Sequence, residues 1–143
     1  SEYSPQAGEK GLAFNLDIGG RLGVVKVSRL YLEEILQNFI TNAIRYTQKG
    51  SITLSIKKNK SGEITFKVID TGIGISKADI AKIFDKFYRA EDYRTRETKG
   101  TGLGLYVSAK LAKKLGCKIE VESRLNHGST FGFKLKEFKN NDK

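Results

Sequence analysis

Ile52, Leu54 and Ile56 alternate with other residues, and so do Ile64, Phe66 and Val68, with Lys60-Ser61-Gly62 between the two runs. A period of two puts each set on one face of a strand, and a short glycine-containing turn folds the strands into an antiparallel hairpin. Two segments of helical period flank this hairpin. Residues 29–46 place Leu32, Ile35, Leu36, Phe39, Ile40 and Ala43 on one face, with Ser28 as N-cap. Residues 103–115 carry Leu103, Val107, Leu111 and Leu115 as an i, i+4 stripe and end at Gly116.

Further alternation predicts a strand at Leu12, Phe14, Leu16 and Ile18, and a short second one at Val24, Val25 and Val27. Another begins at Ile119 and Val121, turns at Asn126-His127-Gly128, and returns through Phe131, Phe133 and Leu135. The order β-β-α-β-β-loop-α-β-β predicts an α+β fold: a two-layer sandwich, its mixed, mostly antiparallel sheet carrying helices on one face. The chain is irregular from Thr71 to about Thr101, apart from a short helix predicted over Lys77 to Lys82, and glycines stand at both ends of that stretch. A loop of about thirty residues is unusual in a compact domain unless it is a functional lid.

Composition narrows the function. The 143 residues fit one domain, and the formal charge of +10 suits an anionic ligand or partner. It equally suits a well-solvated surface. A single Cys117 and a single His127 exclude an internal disulfide and a Cys/His zinc site made by this chain alone. No apolar run is long enough to span a bilayer. Residues 1–10, opening on Ser-Glu-Tyr-Ser-Pro without Met, read as a linker left by a cut in a longer protein, residues 11–137 as the domain, and residues 138–143 as a tail.

Four stretches carry chemistry. On the first helix Glu34, Asn38, Asn42 and Arg45 fall within an arc of about 80° at 100° per residue, opposite the apolar face. Two asparagines one turn apart can offer carbonyl oxygens to a hard cation such as Mg, and Arg45 can neutralise phosphate. Taken alone, the stripe is also what a solvated helix face presents. In Asp70-Thr71-Gly72-Ile73-Gly74-Ile75 a carboxylate at a strand end suits an exocyclic amine better than a phosphate, with the glycines letting a base approach, although Gly-x-Gly also makes a plain turn. Lys99-Gly100-Thr101-Gly102-Leu103-Gly104-Leu105 opens the second helix, where unpaired N–H groups attract anions. Its glycine spacing and the missing βαβ unit disfavour a dinucleotide fold. Ile83-Phe84-Asp85-Lys86-Phe87-Tyr88-Arg89 supplies aromatics that could anchor a lid or pack locally, and Arg89 could reach phosphates.

In this order the four stretches resemble the N box (Glu34 to Thr47), first glycine box (Asp70 to Ile75), F box (Phe84 to Arg89) and second glycine box (Gly100 to Leu105) of the catalytic and ATP-binding domain of sensor histidine kinases. That domain has the Bergerat fold, shared with gyrase, heat-shock chaperone and mismatch-repair ATPases. His127-Gly128-Ser129-Thr130-Phe131 resembles the closing Gly-x-Thr segment, so the likeness runs from about residue 10 to 136. The resemblance implies ATP and Mg as cofactors, with Asn42 the main metal ligand and Asn38 assisting. It implies Asp70 as the adenine reader supported through water by Thr130, and Tyr46 against base or ribose. Arg45, Lys49, Arg89 and Lys99 then meet phosphates, and Gly100, Gly102 and Gly104 contact the phosphate tail through their backbone. Gly72, Gly74, Ile75, Phe87, Tyr88, Thr101, Leu103 and Leu105 complete the nucleotide contacts.

Glu34 stands where the family often has a proposed base, so Glu34, Asn38 and Arg45 are the catalytic candidates. The superfamily's ATPases carry a water-activating Glu where Asn38 stands, and an amide cannot do that work, which fits a γ-phosphoryl kept for a protein nucleophile. The implied acceptor is a histidine on a separate dimerisation and phosphoacceptor domain, His127 being a turn residue. A response regulator would follow, in a parent anchored in the bacterial inner membrane with this domain cytoplasmic. By itself the fragment would be monomeric and would bind no nucleic acid. An anti-sigma-type serine kinase of the same fold, or a domain that binds nucleotide without transfer, are the alternatives.

Overall fold

The structure, a computed structural model, describes residues 8, 11–20, 22–23, 25–85 and 104–137. The elements are β1 (Ala13–Ile18), α1 (Arg29–Tyr46), β2 (Ser51–Lys58), β3 (Glu63–Asp70), α2 (Lys77–Ile80), α3 (Gly104–Leu115), β4 (Glu120–Arg124) and β5 (Gly128–Lys136). The five strands form one sheet in the order β1-β2-β3-β5-β4, with β1 parallel to β2 and every other pair antiparallel. The parallel pair is joined through α1, as a crossover connection requires. The α+β expectation therefore stands.

Local chemistry explains the element ends. The Ser28 hydroxyl accepts the Tyr31 N–H at 3.3 Å and caps α1. At the end of α3, Gly116 N–H donates to Lys113 O (3.1 Å) and Cys117 N–H to Ala112 O (3.0 Å), the reciprocal pair of a Schellman cap. In the β2–β3 turn the Asn59 side-chain oxygen accepts the N–H groups of Ser61 and Glu63.

Alternation fixes the two sheet faces. Ile64, Phe66, Val68 and Asp70 of β3 and Ser129, Phe131, Phe133 and Leu135 of β5 are all buried, and the register pairs Phe66 with Phe133 and Asp70 with Ser129. Phe133 stacks on Phe66 with centroids 5.0 Å apart, and Phe39 of α1 closes on Phe131 (5.5 Å) and Phe133 (6.2 Å). Ile35, Phe39, Ile40 and Ala43 thus cover this face, while Leu32 and Leu36 are half-buried at its margin.

Two expectations are corrected. Val25 and Val27 form no strand and pack against the core on the approach to Ser28, while Val24 lies outside the described residues. On α3 the fully buried residues are Ser108 and Ala112, with Val107, Leu111 and Leu115 only half-buried. Small side chains face α1 because the two helices come close there, and the larger ones pack along the flanks. The short helix ends at Ile80, followed by turn residues, and residues 86–103 lie outside the described set.

Phe133 is fully buried and contacts two other rings. Phe133→Ala is expected to cost about 3–5 kcal/mol in urea unfolding with little change in m-value.

Candidate nucleotide site

Asp70 ends the central strand on the α1 side of the sheet, with its side chain buried. The Gly72 N–H donates to Asp70 Oδ1 at 2.9 Å, and the backbone of Ser129 also donates to this carboxylate. The Thr47 hydroxyl, wholly buried just past α1, lies near enough to Asp70 to favour its charged form, yet makes no formed hydrogen bond among the described residues. Burial is the larger effect and raises the Asp70 pKa above the ordinary carboxylate value.

The backbone closes tightly around this group. A Cβ on Gly72 would stand 2.4 Å from Tyr46 O and 2.7 Å from Thr47 Oγ1, and one on Gly128, whose φ is +87°, would stand 2.1 Å from Asp70 O. Ile73 N–H donates to Tyr46 O (3.2 Å), Asn126 N–H to Ile73 O (2.6 Å) and Ile75 N–H to Ser123 Oγ (2.8 Å). The first glycine box is therefore bolted between the end of α1 and the β4–β5 turn. The missing side chains at Gly72 and Gly74 accommodate Tyr46, Thr47 and Arg124 of the protein itself.

Thr130 is also corrected. The register sets it opposite Ile69, on the sheet face turned away from α1, whereas Ser129 faces Asp70. An open depression of about 340 Å³ is lined by Ile69 and Asp70 of β3, Glu122 of β4, Ser129 and Thr130 of β5 and His127 of the turn, so it opens beside the Asp70 carboxylate.

The other end of the site joins α1 to α3. Asn38 Nδ2 donates to Gly104 O (3.2 Å) and to Ser108 Oγ (3.1 Å), and Ser108 Oγ donates to Gly104 O (2.9 Å). Asn42 and Arg45 follow on the same stripe, both half-buried, and Tyr46 is half-buried beside the Asp70 loop. Glu34 and Lys49 are exposed, while Ile75 and Leu105 pack against the apolar core. Phe87, Tyr88, Arg89, Lys99, Gly100, Thr101, Gly102 and Leu103 lie outside the described residues. Among the described residues no three His, Cys, Asp or Glu side chains form a metal-holding group. A hard cation here fits amide and phosphate oxygens instead, since Mg needs few protein ligands.

Sequence reasoning missed Thr47, Ser108 and Ser129. Ser129 was recoverable, because inward Phe131 and Phe133 force Ser129 inward as well.

The profile of the histidine kinase-, DNA gyrase B- and HSP90-like ATPase family matches residues 28–139. The chain belongs to this family. It is 40% identical over 128 residues to the aerobic respiration control sensor protein ArcB of Escherichia coli (strain K12), covering 88% of this chain and 16% of ArcB. It is 39% identical over 105 residues to sensor protein SrrB of Staphylococcus aureus (strain NCTC 8325 / PS 47), covering 73% of this chain and 18% of SrrB. The chain thus spans under a fifth of either relative. Among solved structures, full-length ShkA in complex with AMPPNP superposes with a TM-score of 0.82 at 30% identity, over 94% of this chain and 27% of ShkA. The nucleotide-free catalytic domain of histidine kinase ThkA gives 0.79 at 25% identity, over 95% of this chain and 86% of that domain. Among the described residues of the family member here, no helix is long and apolar enough to cross a membrane.

Because the folded pKa of Asp70 is raised, its protonated form is the one the fold favours, and stability falls as pH rises through the folded value. Asp70→Asn removes that charge. Its melting temperature is expected to exceed that of the native chain at pH 7, with the gap narrowing as pH falls toward about 4. Parallel thermal melts across this range check the sign.

Proposed function

We propose that this chain binds ATP with Mg and transfers the γ-phosphoryl group to a histidine of a separate phosphoacceptor domain, as the catalytic part of a two-component sensor kinase. The observation that carries the reading is the buried Asp70 carboxylate, held at one end of α1 while Asn38 joins α1 to the start of α3. A carboxylate so placed accepts a hydrogen bond from an exocyclic amine, which adenine offers. The crystal structure of full-length ShkA in complex with AMPPNP supports the ligand class.

Asn42 and Asn38 would hold Mg through their amide oxygens, where it would neutralise phosphate charge. Arg45, and beyond the described residues Arg89 and Lys99, supply positive charge near the phosphates. The amide of Asn38 accepts no proton from water, so hydrolysis is disfavoured and the phosphoryl group is retained for a protein nucleophile. Exposed His127 sits in the β4–β5 turn with its N–H on Arg124 O at 2.9 Å, and serves as a turn residue. The acceptor histidine and the dimer contacts then belong to other parts of a longer sensor protein, and a cognate response regulator is the partner that follows.

Calorimetric titration with Mg-ATP is expected to show one site, and Asp70→Asn to weaken it by about 10- to 150-fold through loss of a charge-assisted hydrogen bond. Native binding unchanged by Asp70→Asn would reject the adenine assignment. Labelled phosphate is expected on a histidine-bearing dimerisation domain supplied in trans, and none on that domain when its histidine is replaced.

A further inference from the structure

We propose that Ser108 is a positioning residue: together with the Gly104 carbonyl, its hydroxyl fixes which end of the Asn38 amide faces the phosphate end of the site. The proposal rests on the reading above, that the cleft holds Mg-ATP.

Ser108 is wholly buried, one turn into α3 from Gly104. Its hydroxyl has one proton, and it donates that proton to Gly104 O at 2.9 Å. Only lone pairs remain for Asn38. The Asn38 amide therefore meets two acceptors, Ser108 Oγ at 3.1 Å and Gly104 O at 3.2 Å, and its NH₂ must face them. A reversed amide would press its oxygen against the Gly104 carbonyl. The terminal torsion of an asparagine is otherwise broad and nearly two-fold, so these acceptors make the choice.

With the NH₂ committed to α3, Oδ1 is free to accept. It lies 3.9 Å from where a Cβ on Gly104 would stand, at the very start of α3. An oxygen there suits a hard cation and the waters around it; an NH₂ would repel the cation. Ser108 touches neither nucleotide nor metal and acts only through Asn38. The same bonds tie the first turn of α3 to α1, so the orientation of the amide and the position of the helix start are set together.

The test compares ATP binding by calorimetry in EDTA and in Mg for the native chain, Ser108→Ala and Ser108→Cys, alongside the side-chain amide signals of Asn38 by NMR. Ser108→Ala is expected to reduce the affinity gained from Mg by about 3- to 10-fold, with affinity in EDTA within about twofold of native. Its Asn38 amide signals are expected to shift or broaden. Ser108→Cys, nearly isosteric and a weaker acceptor, is expected to fall between, and carries the comparison if the alanine variant loses stability. An unchanged Mg gain in both variants would overturn the proposal, as would equal losses in EDTA and in Mg, which mark a purely structural serine. Failure of the native chain to bind ATP in either condition would overturn the nucleotide reading itself, while the amide signals would still report on the Ser108–Asn38 bond.

Discussion

A carboxylate buried at the end of a central strand gives up most of its hydration, and backbone donors around Asp70 offset only part of that loss. The Gly72 and Ser129 N–H groups both donate to it, one from its own loop and one from the neighbouring strand. Both approaches demand glycine. Any side chain on Gly72 would strike Tyr46 and Thr47, and any side chain on Gly128 would strike the Asp70 carbonyl. The loop after β3, the end of α1 and the β4–β5 turn thereby close around one carboxyl group. Two donors still leave carboxylate lone pairs available, which the proposed amine of a ligand would take up.

The second joint, between α1 and α3, works by a different chemistry. Ser108 and Ala112 are small enough to let the helices approach, and the approach lets Asn38 bond the first carbonyl of α3. Lys114 over the Tyr31 ring, at 5.6 Å, closes the far end of the same antiparallel pair. The start of α3 is where the second glycine box meets the helix, so this joint links the N box to the segment proposed to meet phosphate. On the proposed reading, the joint at Asp70 would meet the base of a nucleotide and the joint at Asn38 its phosphates.

Much of the fold was legible because it is written in local periodicity. The bounds of α1, its Ser28 cap, the β2–β3 hairpin and the Gly116 cap each follow from a few neighbouring residues. Val25 and Val27 misled because a strand needs a partner as well as β-branched side chains, and these two find the core without one. The α3 stripe misled because large apolar residues draw attention, while a close helix–helix contact selects small ones. At the site, Asp70, Asn38 and Asn42 were legible as residue types. Thr47 and Ser108 were not, since a buried hydroxyl has no signature in sequence and matters only through a partner sixty or more residues away in the case of Ser108. The packing role of Gly72 was hidden for the same reason: its neighbours Tyr46 and Thr47 come from another element.

The central claim is that Asp70 reads the exocyclic amine of adenine. The most direct measurement compares binding of ATP with that of purine riboside triphosphate, which has hydrogen in place of that amine, by calorimetry in Mg. Direct donation to Asp70 requires ATP to bind at least about 10-fold more tightly, the worth of one hydrogen bond to a charged group. Equal affinities for the two nucleotides would contradict it.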